Sequence, residues 1–83
     1  MKIINMTKIK NPLDQRRAYF SIETKTTVFR AMRLIEANDG KLYADYPKYK
    51  DKRGDIWKWY EFNDLDFLRA ITEAAREAYE KIK

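Results

Sequence analysis

RAYFSIETKTTVFRAMRLIEANDGKLYADYP, residues 17–47, reads as three strands joined by two turns. Aromatic and β-branched residues are frequent in it. Apolar positions recur at every second residue, the period at which strand side chains return to one face. Ala18, Phe20 and Ile22 share a face in the first run, Val28, Met32 and Leu34 in the second, Leu42 and Ala44 in the third. The second run also places Phe29 and Ile35 on its other face, which allows cover on both sides. Asn38-Asp39-Gly40 is the clearest turn signal, because Gly40 can take the left-handed conformation that a short hairpin with a bulge requires. Lys25-Thr26 marks a second hairpin.

Upstream, MKIINMTKIK is a further strand and NPLDQ a loop broken by Pro12. Downstream, DIWKWYEF (55–62) is the last strand, with Ile56, Lys58, Tyr60 and Phe62 on one face and Trp57, Trp59 and Glu61 on the other. Both faces are apolar enough to be buried, so alternation alone does not choose the inward one. Beyond it Asn63 can cap a helix, with Asp64 and Asp66 in the first turn where the helix dipole favours acids. Phe67, Leu68, Ile71, Ala74, Ala75, Ala78 and Ile82 follow helical spacing as one stripe, while Arg69, Glu73, Arg76, Glu77 and Glu80 lie mostly off it. A lone amphipathic helix must cover a surface, and the sheet is the only one on offer. The expected fold is therefore α+β: an antiparallel sheet of four to five strands with one C-terminal α-helix packed on it. It forms a single domain over 1–83, with strands within about 2–62 and the helix over about 64–82.

At 83 residues the chain is near the lower limit for a core without staples, and it has no cysteine to supply disulfides or thiolate-bound zinc. Hydrophobic residues make up 45% and Gly plus Pro only four positions, which excludes a disordered linker. A second copy of the chain is the expected supplement, so a homodimer is predicted. The N-terminus lacks the apolar run of a signal peptide and no later run could span a bilayer, so a cytoplasmic protein with no membrane partner is expected.

The chain has no His or Cys, and its only Ser is Ser21 within a strand, which excludes triads, thiolate chemistry and imidazole acid–base work. Two glycines fourteen residues apart cannot form a phosphate loop. Asp64 and Asp66, two apart on a helix, point in different directions and read as helix-start acids rather than metal ligands. No enzyme, metal or cofactor is expected.

Charge points elsewhere. The net charge is +5, and residues 1–62 carry fourteen Lys/Arg against eight Asp/Glu. Basic surfaces suit polyanions. The densest stretch is YPKYKDKRGDIWKW (46–59), where Lys48, Lys50, Lys52, Arg53 and Lys58 alternate with Tyr46, Tyr49, Trp57 and Trp59. Cations gain on phosphates by releasing counterions, and aromatic faces such as Tyr46, Tyr49 and Trp57 can stack unpaired bases. The bland alternative is a solvated tip interrupted by Asp51 and bounded by Asp55, with Tyr46 and Trp57 spent on sheet packing. Tyr49 is the aromatic least easily assigned to a core.

The segment RLIEANDGKLYADYPKYKDKRGDI (33–56) resembles the stage V sporulation protein G (SpoVG) family of bacteria. Arg33, Leu34, Ile35 and Glu36 match its arginine, aliphatic pair and acid. Gly40, Leu42 and Pro47 match its glycine hairpin and short strand, and Tyr49-Lys50, Gly54 and Ile56 its basic loop and following strand. A looser likeness reaches Ile3, Met6, Ala18, Ser21 and Ile22 and the closing helix. The resemblance implies a small dimer with an antiparallel sheet and a C-terminal helix. It also implies a regulator of bacterial sporulation, septation and gene expression that binds DNA or RNA through the loop after the proline.

The family's basic pair falls on Tyr49-Lys50. Lys52-Arg53 stand where the family has Pro-Asp, Trp57-Lys58 where it has Arg-Asp, and Glu61-Phe62 where it has His-Pro. The candidate nucleic-acid-binding residues are therefore Lys48, Tyr49, Lys50, Lys52 and Arg53, with Arg16, Arg17 and Arg30 as an extension. Arg30 and Arg33, at odd spacing, are expected on opposite faces, with Arg33 free to pair with Glu36 or another acid. The competing class is a protein–protein interaction module that uses an exposed sheet edge and binds no nucleic acid.

Overall fold

The computed structural model describes residues 1–82. Strands β1 (Lys2–Lys8), β2 (Arg16–Glu23), β3 (Val28–Glu36) and β4 (Leu42–Asp45) form an antiparallel sheet in that spatial order. Strands β5 (Lys48–Lys50) and β6 (Ile56–Lys58) pair as a separate hairpin, and helix α1 (Leu65–Lys81) packs on the main sheet. The α+β expectation holds. The last strand does not join the main sheet: it stops at Lys58 and pairs with β5 instead of running to Phe62.

The register sets Leu34 between Ala18 and Ala44, and Met32 beside Phe20. With Ile22, Ile71, Ala75, Tyr46 and Tyr79 these residues make the core between sheet and helix. Three irregularities break the two-residue period. β1 carries an extra residue between Ile4 and Thr7, β2 between Arg16 and Ala18, and β3 between Phe29 and Met32. Two of them hold a left-handed residue, Asn5 at φ 56° and Ala31 at φ 64°. The β3 bulge corrects the alternation read from sequence: Phe29 packs on the core beside Met32, while Val28 is exposed. It also breaks the odd–even count between Arg30 and Arg33. Opposite the helix, alternation leaves Tyr19, Arg33, Ile35 and Tyr43 on the open face.

The Asn38-Asp39-Gly40 turn forms as expected. Gly40 sits at φ 81°, and Asp39 accepts from the Lys41 N–H at 2.8 Å. At the other hairpin Thr24 and Thr27 close the link through backbone and side-chain bonds. Asp64, not Asn63, caps the helix; its Oδ1 accepts from the Asp66 and Phe67 N–H groups. Both neighbours are good caps, so composition could not separate them. Along the helix Thr72 and Tyr79 are buried and Ile82 is exposed, three departures from the expected stripe.

Thr72 and Arg76 explain one departure and close one edge of the sheet. The Ala44 N–H donates to Thr72 Oγ1 at 3.2 Å, and Arg76 Nε donates to the Leu42 carbonyl. One outward N–H and one outward carbonyl of β4 are thus satisfied by the helix. Among the described residues, the edge that no strand or helix bond covers belongs to β1, which is bulged at Asn5 and carries Lys2 and Lys8, features that blunt an edge. No helix among the described residues is long and apolar enough to cross a membrane.

Candidate nucleic-acid interface

Hairpin β5–β6 is the site that the sequence singled out, and all six of its strand residues are exposed. Its register is Lys48 opposite Lys58, Tyr49 opposite Trp57, and Lys50 opposite Ile56. Pleating therefore sorts the stretch into two faces. Lys48, Lys50, Ile56 and Lys58 share one, and Tyr49 and Trp57 the other, where Tyr49 also meets Trp59 with ring centroids 4.8 Å apart.

Asp51 organises the tip. Its Oδ1 accepts from the backbone N–H of Arg53 at 2.9 Å and of Asp55 at 3.0 Å, and its Oδ2 accepts from the Trp57 indole N–H at 2.7 Å. The indole hydrogen bond, aided by the backbone N–H groups of Asp55, Arg53 and Gly54, holds this carboxyl below the usual aspartate range against the opposing effect of burial. Gly54 takes φ 89° and donates its N–H to the Asp51 carbonyl, so the tip needs a residue without a side chain there. Asp51, which interrupts the basic run in sequence, thus spends its acceptors on loop geometry rather than on a neighbouring lysine.

The five central candidates separate by what they touch. Lys48 pairs with Asp45 at 3.1 Å, and Asp45 also holds Arg33 at 3.3 Å. Tyr49 is 44% exposed. Lys50, Lys52 and Arg53 extend side chains with no ion-pair or hydrogen-bond partner among the described residues. Lys58, not among the five, pairs with Glu61 at 3.0 Å and lies over the Tyr46 ring, and that acid raises its pKa.

Of the three possible extensions, only Arg30 comes near the hairpin. It lines a shallow groove with Val28, Phe29, Pro47, Trp59 and Tyr60. Arg16 is held by both carboxylate oxygens of Asp14, and Arg17 bonds the Asp14 carbonyl and lies 3.7 Å from Glu36. Arg16 pairs with Ile35, towards the opposite end of β3 from Arg30.

Tyr46 is core, as expected, but Trp57 is 52% exposed and Trp59 67%, so neither serves sheet packing. Tyr60 and Phe62 turn inward instead, interlocking with Phe29, Tyr46 and Phe67 at centroid distances of 5.0–6.1 Å. Burial pushes the Tyr60 hydroxyl up to about 12, and that hydroxyl donates to the Arg30 carbonyl at 2.9 Å. Sequence reasoning missed Trp59 and this junction. The equal parity of Trp57 and Trp59 was the available signal, lacking only which face turned in. Among the described residues no cluster of acids could hold a metal ion.

Comparison of the chain with protein-family models and with curated proteins gives no match.

Proposed function

We propose that this is a nucleic-acid-binding protein that grips phosphates with the β5–β6 hairpin and serves as a bacterial regulator. The observation that carries the reading is the set of unpaired cations Lys50, Lys52 and Arg53 on a rigid tip, beside exposed Tyr49, Trp57 and Trp59. The SpoVG-like order of residues 33–56 supports it, as does the basic balance of residues 1–62. No nucleophile or acid–base pair gathers at the hairpin, so binding rather than catalysis is the role assigned. A cytoplasmic location and a homodimer belong to the same proposal.

The salt dependence of binding tests it. Each cation that neutralises a phosphate contributes about 0.9 to the slope of log K against log salt on duplex DNA, and about 0.7 on single strands. Replacing Lys50, Lys52 and Arg53 together by Ala should flatten the slope by roughly 2 to 3 units on duplex or about 2 on single strands, with the fold intact. A triple variant that binds as the parent does, at unchanged slope, would make the hairpin a solvated tip.

The alternative, an interaction module that adds a strand to a partner, has less to work with. Thr72 and Arg76 already occupy the outer edge of β4, which leaves β1.

A further inference from the structure

We infer that the groove between the β3 bulge and the base of the hairpin is a subsite for one unpaired nucleobase, which makes single-stranded nucleic acid the preferred ligand. This inference rests on the nucleic-acid reading of the hairpin and adds to it a place where a base is held.

The groove is lined by exposed Val28, Arg30 and Trp59, by the half-buried rings of Phe29 and Tyr60, and by the buried ring of Pro47. The lining is mostly apolar and aromatic, the surface on which a base face sheds water and stacks. Two of its lining residues carry polar groups that remain unspent. The Arg30 guanidinium and the Trp59 indole N–H have no hydrogen-bond partner among the described residues, so both are free for phosphate, sugar or base edge.

The walls are fixed before any ligand arrives. Tyr60 Oη donates to the Arg30 carbonyl at 2.9 Å, the Trp59 backbone N–H donates to the Pro47 carbonyl at 2.9 Å, and the Phe29 and Tyr60 ring centroids lie 5.4 Å apart. Ala31, the left-handed residue of the bulge at φ 64°, turns the strand here. Strain of this kind is held where the surroundings over-determine it, and here Ala31 lines the groove while the same bulge turns Phe29 onto the core. Preformed walls lower the ordering cost of binding.

Charge complementarity decides the occupant. Trp59 both lines the groove and touches Tyr49; the next residue, Lys50, lies on the hairpin's other face and begins the unpaired cationic tip. A strand whose base enters the groove meets Arg30 in the lining itself, and its phosphates can run on along the hairpin to the cations of the tip, Lys50, Lys52 and Arg53. A duplex keeps its base faces in its own stack and cannot offer one, whereas a single strand can.

The test compares two fluorescent fifteen-nucleotide strands, oligo-dT and an abasic strand of the same length, by anisotropy at one salt concentration. Both carry the same phosphates, so the difference reads the base alone. The parent should favour oligo-dT by roughly 5- to 150-fold, the range for one stacked base. Trp59→Ala should collapse that preference, and so should Val28→Trp, which fills the groove while keeping Trp59. In a Trp57→Phe background Trp59 is the only indole, and its emission should be quenched by oligo-dT but not by the abasic strand. Equal affinity of the parent for both strands, with both weakened by the Lys50/Lys52/Arg53→Ala variant, would overturn the base subsite and leave the phosphate-binding hairpin standing. A full base preference in Val28→Trp would overturn the groove as its location, even if Trp59→Ala failed to fold. No binding to either strand would overturn both readings.

Discussion

Replacing Ile71 by Ala removes three carbons from a side chain with no solvent exposure, set among Ala18, Phe20, Ile22 and Leu34 in the core under the helix. At about 0.8 kcal/mol per buried methylene, the transfer loss alone is about 2.4 kcal/mol. The cavity left behind adds to it, because strands tied into a sheet collapse only partly around a void. Roughly 3–4 kcal/mol is expected, inside the 2–5 kcal/mol range of such truncations. A domain of this length has about 4–12 kcal/mol in total, so this one change should consume roughly a quarter or more of it. In urea, at about 1–3 kcal/mol per molar, the midpoint should fall by at least roughly 1 M.

The matched control is Glu77→Ala, on the exposed side of the same helix, which should stay within about 0.5 kcal/mol of the parent. Arg76, off the apolar stripe in sequence, cannot serve. It donates to the Leu42 carbonyl and lies 4.9 Å from the Tyr43 ring. Coincident urea midpoints for Ile71→Ala and Glu77→Ala would refute the assignment of the helix face, and with it the core.

Two further outcomes are expected. Dimerisation by strand pairing should use β1, because the β4 edge is occupied; sedimentation at micromolar concentration should show a species of twice 10.1 kDa, and a lone 10.1 kDa species would remove the idea. The hairpin tip should loosen in acid. Asp51 is held below its ordinary pKa by the Trp57 indole N–H and the tip's backbone N–H groups, so its contribution is present above the unfolded pKa and is lost as pH falls through the folded one. In a Trp59→Phe background, Trp57 emission should stay constant from about pH 7 to 5 and change below about pH 4. A transition that persists in Asp51→Asn would assign it to another group.

The parts of the fold that were legible in sequence are those where one period runs unbroken. Ala18, Phe20 and Ile22 alternate cleanly and all three are buried, and Ile71 and Ala75 lie one helical turn apart and face the sheet. The bulges were not legible. Asn5 tolerates the left-handed region, but nothing about Ala31 advertises φ 64°, and one inserted residue there exchanges the roles of Val28 and Phe29. Thr72 was unreadable for a different reason. Its hydroxyl is buried because the Ala44 N–H needs an acceptor, a requirement set by β4, far away in sequence. At the hairpin, residue types marked the basic stretch, but which cations were neutralised depended on partners the sequence does not align. Arg16 meets Asp14, Lys48 meets Asp45, and Lys50, Lys52 and Arg53 meet nothing among the described residues.

The aromatic residues carry the same distinction further. Phe29, Tyr46, Tyr60, Phe62 and Phe67 interlock into a cluster that ties the hairpin's base to the sheet and the start of the helix, and this accounts for them structurally. Tyr49, Trp57 and Trp59 lie outside it, at 44%, 52% and 67% exposure. For a small chain, leaving two indoles in water forgoes burial that its core could use. The bonds at the hairpin do not hide these rings. Asp51 fixes Trp57 by its N–H edge, and Tyr49 rests against Trp59, which leaves the outer ring faces free. Rigid, uncovered ring faces beside unpaired cations are what a strand with exposed bases and phosphates can use together. Packing accounts for where the rings are held, and the proposed single strand would account for leaving them uncovered.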